Sequence, residues 1–305
     1  MQFNFQFPTR AVKHWGAWVG EGDLADLAVA AEECGFAVFS ATDHPFPLET
    51  WVSQGGHHAF DPFVALAYAA ARTSRIRLLT NLLVAGYRNP YLMAKSLASL
   101  DVLSGGRVIA GMGAGYMQEE FSALGGTFAG RGARFDAAID AMRASWSGEP
   151  VCADGLFPAA GNVALPRPSG AAGPPIWIGG NGRPAKRRIS SRADGWLPFE
   201  QSAAMAEVTG TPPLTPVQLP EEIAEIRRMR VDAGRPAEFD VCFTPLLGKD
   251  ARANADHLAA QLDGYADAGV THVCIESRAR SFADCLTELE TYSTLVAPVA
   301  AGPGR

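Results

Sequence analysis

Along this chain a short apolar run is followed by a helix-patterned stretch, and the pair recurs eight times. That rhythm limits the possible folds more than any single motif. The runs are FNFQF (3–7), 36–41, IRLLTNLLV (76–84), RVIAGM (107–112), IWIGG (176–180), DGWLPF (194–199), FDVCFTPLL (239–247) and HVCIE (272–276). Helices fit between them. The first, over 23–34, puts Leu24, Leu27, Ala28 and Ala31 on one face and stops at Gly35. Asp61-Pro62 opens the second, to about residue 73, and Pro90 opens the third, to Leu103. Further helices are predicted over 131–146, 183–192, 220–234, 251–268 and 281–297.

Strands that are apolar almost throughout are buried on both faces, which is the mark of parallel strands joined by helices. Eight such units in 305 residues predict an α/β fold, a (β/α)8 TIM barrel rather than an open doubly wound sheet. Two segments interrupt the barrel. Residues 147–175, after helix 4, are rich in Gly, Pro and Ala and are expected to form a small hairpin near Val151 and Val163. Residues 200–219, after strand 6, carry Pro212, Pro213 and Pro216 and are expected to form a long loop at the C-terminal face. One barrel domain over 1–305 is expected, with a frayed tail, AAGPGR (300–305).

Charge and cysteine content narrow the setting. A formal net charge of −6 without a long basic run argues against nucleic acid as the main partner. The five cysteines are scattered and form no C-x-x-C, which fits reduced thiols in the cytoplasm. The sequence shows no secretory or membrane-spanning segment, so no membrane partner is expected.

In a barrel the C-terminal strand ends converge on one mouth, where sites lie. Asp43-His44 ends strand two, inside SATDHPFP (40–47), and Pro45 and Pro47 forbid the strand from continuing. The pair reads either as a turn cap with a satisfied histidine or as proton-handling groups set at the mouth. GMGAGY (111–116) follows strand four. Its G-x-G-x-G spacing puts Tyr116 where a dinucleotide fingerprint needs its third glycine, so glycines for close backbone packing are the alternative. GGNGRPAKRR (179–188) is the better phosphate loop: glycines expose backbone amides, Pro184 starts a helix, and Arg183, Lys186, Arg187 and Arg188 add charge. Glu276-Ser277-Arg278 ends strand eight. His57-His58 with Asp61 matches no standard zinc spacing, so no metal is expected. There is no G-x-S-x-G or other nucleophile framework.

The stretches RIRLLTNLLVAGYRNPYLMAKSLASLDVLSGGRVIAGMGAGYMQEEF (75–121) and PIWIGGNGRPAKRRISSRADGWLP (175–198) resemble the bacterial luciferase-like superfamily, in particular its oxidoreductases that use the deazaflavin coenzyme F420. The resemblance implies a (β/α)8 barrel and a set of roles. Asp43 and His44 would be catalytic, beside the deazaflavin ring, with the carboxylate helping to orient the imidazole. The Asn81–Leu82 bond would be the non-prolyl cis peptide of a bulge that backs the ring. Ala114, Gly115 and Tyr116 would line the cofactor site, and Gly179, Gly180, Asn181 and Arg183 would hold its phosphate. Where sugar-phosphate dehydrogenases of this kind carry an acidic glutamate after the strand-four glycines, this chain has Tyr116, which points to a less polar substrate. The expectation is hydride transfer between F420 and a small-molecule substrate in a homodimer. The alternatives are an FMN-dependent monooxygenase and, from another class, a barrel that binds flavin or ligand without turnover. Arg88, Arg183 and Arg188 tilt the choice towards the polyanionic tail of F420.

Overall fold

The helices begin close to where the sequence places them. In the computed structural model, which describes residues 1–18, 22–203, 206–207 and 210–296, Asp23 caps α1 (Leu24–Glu33) by accepting from the Ala25 and Asp26 amides, and Asp26 returns a bond to the Asp23 amide. Asp61 caps α2 (Pro62–Ala70) and Asn89 caps α3 (Pro90–Ser104), each with proline in the first turn. The other barrel helices are α4 (Arg131–Trp146), α5 (Arg183–Ser191), α6 (Leu219–Asp232), α7 (Ala251–Ala268) and α8 (Phe282–Val296).

The barrel strands are β1 (Gln2–Gln6), β2 (Val38–Ala41), β3 (Arg77–Thr80), β4 (Val108–Gly113), β5 (Ile176–Gly179), β6 (Gly195–Leu197), β7 (Asp240–Phe243) and β8 (His272–Glu276). Each pairs in parallel with its sequence neighbours, and β8 pairs back onto β1, from Gln2↔His272 to Gln6↔Glu276, so the eight strands close into a ring. An antiparallel hairpin, Val151–Ala153 with Ala159–Asn162, fills the predicted interruption between α4 and β5. Residues 204, 205, 208 and 209 of the segment after β6, and 297–305 including the tail expected to fray, lie outside the described residues.

Three strands are shorter than the apolar runs suggest. The run 239–247 stops pairing as a strand at Phe243, two residues before Pro245, and 194–199 stops at Leu197, just before Pro198. Proline has no N–H to give the next ladder bond. The run 76–84 breaks at Asn81-Leu82 and resumes as Leu83–Val84, which pairs with Met112 and Gly113 of β4.

Apolar side chains pack on both sides of the strand wall, as parallel sheets require. Val38, Leu79, Ile109, Trp177, Leu197, Cys242 and Cys274 fill the inside, and the larger core lies between strands and helices. At Gly111 the β3–β4 approach is so close that a Cβ would overlap the Thr80 carbonyl, so only glycine fits there. Away from the mouth, the His272 ring lies 5.0 Å from Trp177. Burial, aided by Arg77, pushes its imidazole down to about 3, and it stays neutral.

Candidate active site

Because all eight strands run parallel in a closed ring, residues 43–44, 81–88, 111–116 and 179–183 lie at or just beyond the C-terminal ends of four adjacent strands, β2 to β5, at one mouth. The geometry assigns Asp43 and His44 different partners. Asp43 is buried. Its carboxylate accepts from Arg88 Nη1 at 2.6 Å and Nη2 at 2.9 Å, and from the Val84 amide at 3.2 Å. Arg88 Nη2 also reaches Asp61 at 3.0 Å. This chain of charges ties the exits of β2 and β3 to the start of α2.

His44 is held by a different carboxylate. Its Nδ1 lies 3.0 Å from Glu120 Oε2. Glu120 sits in a short helix after β4, Gln118–Ala123, and is buried. It also accepts from the Tyr87 hydroxyl at 2.7 Å and the Phe46 amide at 2.9 Å. The carboxylate expected beside the ring is Asp43; the one hydrogen-bonded to it is Glu120, while Asp43 faces Arg88 and the Val84 amide. Burial would raise the Glu120 carboxyl, but the bonds from His44, Tyr87 and Phe46 outweigh it and hold the group below the usual carboxylate range. Burial and Glu120 together push the Tyr87 phenol well up, so it remains a donor.

Rings surround His44. Trp51 lies 4.8 Å away, His57 5.1 Å and Tyr116 6.2 Å between centroids. Burial, with His44 beside it, pushes His57 down to about 4, and burial beside Glu120 pushes Tyr116 up to about 12. These neighbours are thus uncharged at neutral pH, and the surroundings of His44 are aromatic rather than cationic.

Next to this cluster the strand ends form a floor. The Asn81–Leu82 peptide is cis. Asn81 Nδ2 donates to Gln6 Oε1 at 2.7 Å, and Glu276, in register with Gln6, is exposed at the mouth. The Leu82 side chain lies over Gly113 and Gly179, where a Cβ on either would collide with its methyls. Gly115 adopts φ +75° and packs against Val84 and Phe121, with its carbonyl accepting from Arg131 at 3.0 Å. The packing role of that motif's glycines is visible here, and Ala114 beside it is half-buried against the core. At the β5 exit Gly180 turns at φ +107°. The Asn181 amide binds the carbonyls of Phe199 and Pro212 at 2.9 and 3.2 Å, so this side chain braces the segment after β6.

The cations after β5 divide into two groups. Lys186 pairs with Glu222 and Glu225, and Arg188 binds Asp136 at 2.7 Å and the Gly132 carbonyl at 2.9 Å. These two, like Arg88, are held by the protein's own acceptors, whereas Arg183 at the start of α5 and Arg187 in its middle are exposed. Among the described residues no group of three or more His, Cys, Asp or Glu side chains is arranged to hold a metal ion. Glu120, Tyr87, Trp51 and Gln6 were not singled out by the sequence. The only trace of Glu120 is the pair Glu119-Glu120 before Phe121, which does not say which carboxylate turns inward.

The sequence model of the luciferase-like monooxygenases matches residues 1–281. The chain belongs to the luciferase-like monooxygenase family. Among relatives of this luciferase-like protein, an uncharacterised protein of Mycobacterium tuberculosis is 31% identical over 292 residues, 90% of this chain and 93% of that one. An F420-dependent glucose-6-phosphate dehydrogenase of Nocardia farcinica is 34% identical over 184 residues, 58% of this chain and 53% of the relative, so the match spans about half of that enzyme. Two solved structures share the luciferase-like fold over nearly their whole length. The monooxygenase RslO1 of Streptomyces bottropensis has a TM-score of 0.76 at 22% identity, covering 99% of this chain and 100% of its own. The coenzyme F420-dependent tetrahydromethanopterin reductase of Methanopyrus kandleri has a TM-score of 0.72 at 18% identity, covering 98% and 99%. No helix among the described residues of this family member is long and apolar enough to cross a membrane.

Proposed function

We propose that this protein is an F420-dependent oxidoreductase that moves a hydride between the deazaflavin and a small, uncharged organic substrate. The observation that carries the reading is the His44 imidazole, fixed by a buried carboxylate beside a floor of Leu82, Gly113 and Gly179. F420-dependent glucose-6-phosphate dehydrogenases among its relatives support it. The residues fit the cofactor. The glycines admit the Leu82 side chain that forms an apolar floor, the Asn81–Gln6 pair offers a polar edge, and Ala114, Gly115 and Tyr116 border it. Gly179, Gly180, Asn181 and Arg183 would hold the phosphate through backbone amides, the α5 N-terminus and one exposed cation. Bound there, the deazaflavin supplies hydride chemistry. The chain's own part is to orient the substrate between Trp51, His57 and Tyr116 and to handle a proton at His44. The uncharged rings around His44 favour a substrate without a phosphate.

A specific observation keeps a second reading, an FMN-dependent monooxygenase. Arg88 and Arg188 are engaged internally, so less free charge awaits a polyglutamate tail than the sequence suggests. Titration by fluorescence quenching at low and high salt separates the two. F420 is expected to bind more tightly than its tail-less precursor, with an advantage that shrinks as salt rises. Tight FMN binding, with F420 no better than about micromolar and indifferent to its tail, overturns the assignment.

The exposed Val64 and Tyr68 on α2 and Leu92 and Leu103 on α3 support association with a second copy of the chain. Sedimentation at micromolar concentration is expected to show a dimer, and a monomer there counts against it. Five free cysteines support a reducing, cytoplasmic setting.

A further inference from the structure

We infer that Glu120 is the positioning residue for His44, locking the imidazole as its Nδ1–H tautomer so that Nε2 is the atom that exchanges a proton with the substrate. The inference rests on the proposed role of His44 in turnover, but its first test does not.

Glu120 gathers donors from two separate strand exits. His44 and Phe46 follow β2, and Tyr87 follows β3. All three bonds end on a carboxylate that is 1% exposed. An ionised carboxylate only accepts, so each partner must donate. Phe46 contributes a backbone N–H, which has no other option. Tyr87 contributes a phenol that keeps its proton. His44 must then carry its proton on Nδ1, which leaves the Nε2 lone pair as the ring's only acceptor. Asp43 does not take this role: its carboxylate is bonded to Arg88 and the Val84 amide, and the carboxylate on the His44 ring is that of Glu120. When a substrate X–H bond gives its proton to Nε2, an N–H bond forms and the ring becomes an imidazolium whose charge faces Glu120. When the reaction runs the other way, Nε2–H returns the proton. Tyr87 and Phe46 hold the carboxylate still in both states, so the ring does not need to turn over between them.

The test reads the tautomer first. Protein labelled with 15N-histidine is examined by long-range proton–nitrogen correlation at mildly alkaline pH, with the His44 signals assigned by their loss in His44→Gln. Wild-type His44 is expected to show a protonated Nδ1 and a bare Nε2. An Nε2–H tautomer in the wild type overturns the inference whatever the enzyme turns over. In Glu120→Gln the Nδ1–H preference is expected to be lost and kcat to fall about tenfold or more, with KM and cofactor affinity little changed. Glu120→Asp, which keeps the carboxylate, is expected to restore part of both. A Glu120→Gln protein that folds, keeps the Nδ1–H tautomer and turns over normally also overturns it. If the tautomer behaves as expected but F420 does not bind, the cofactor assignment fails and the positioning role stands.

Discussion

His44→Ala is expected to lower turnover by about 100-fold or more while leaving the barrel folded and cofactor affinity close to wild type. His44 follows the C-terminal end of β2, and removal of its imidazole takes one donor of three from Glu120. Tyr87 and the Phe46 amide still satisfy that carboxylate, so the substitution does not strand a buried charge. Steady-state kinetics under both cofactors, alongside a thermal melt and a binding titration, separate the possibilities. A fall in kcat with an unshifted melt fits a group that meets the reacting atoms. Unchanged turnover assigns the ring to packing between Trp51 and Tyr116.

Asp43→Ala is expected to behave in the opposite way. Its carboxylate neutralises a guanidinium whose side chain is 20% exposed and satisfies the Val84 amide. Removing one member of a buried pair commonly costs about 3–5 kcal/mol, because the other is left uncompensated. Asp61 remains near Arg88, but its side chain is 43% exposed and replaces only part of the lost charge. Chemical denaturation is therefore expected to show a loss of several kcal/mol, and Asp43→Asn, which keeps the shape, a smaller one. A stability change below about 1 kcal/mol together with lost turnover would return Asp43 to the catalytic role that the adjacent Asp-His pair suggests in the sequence.

The two carboxylates show how far the sequence can be read. Strand and helix periodicity are local, and a cap such as Asp61, with Pro62 after it, announces itself beside the helix it starts, so the eight units and their order are legible. The ends of β6 and β7 are less so, because a proline cuts the ladder inside an apolar run that looks continuous. The short helices Glu49–Ser53 and Gln118–Ala123 span too few residues to display a period of 3.6. The resemblance places the cis bond at Asn81–Leu82, and the structure has it there. Partner choice is another matter. His44 follows Asp43 directly, yet neighbours in an extended chain point to opposite sides. The ring meets a carboxylate 76 positions away, through a contact between two strand exits that no linear pattern records.

The helix Glu49–Ser53 carries Trp51 to the rim above His44, yet none of its five residues is buried. The barrel does not depend on this segment for its core, so exchanges there act on a surface where most substitutions shift stability by about 0.5 kcal/mol or less. Inheritance can therefore rewrite the rim one residue at a time while His44, Glu120 and the glycine floor stay as they are. Descendants of such a gene are free to drift towards new molecules without first surviving a loss of the fold.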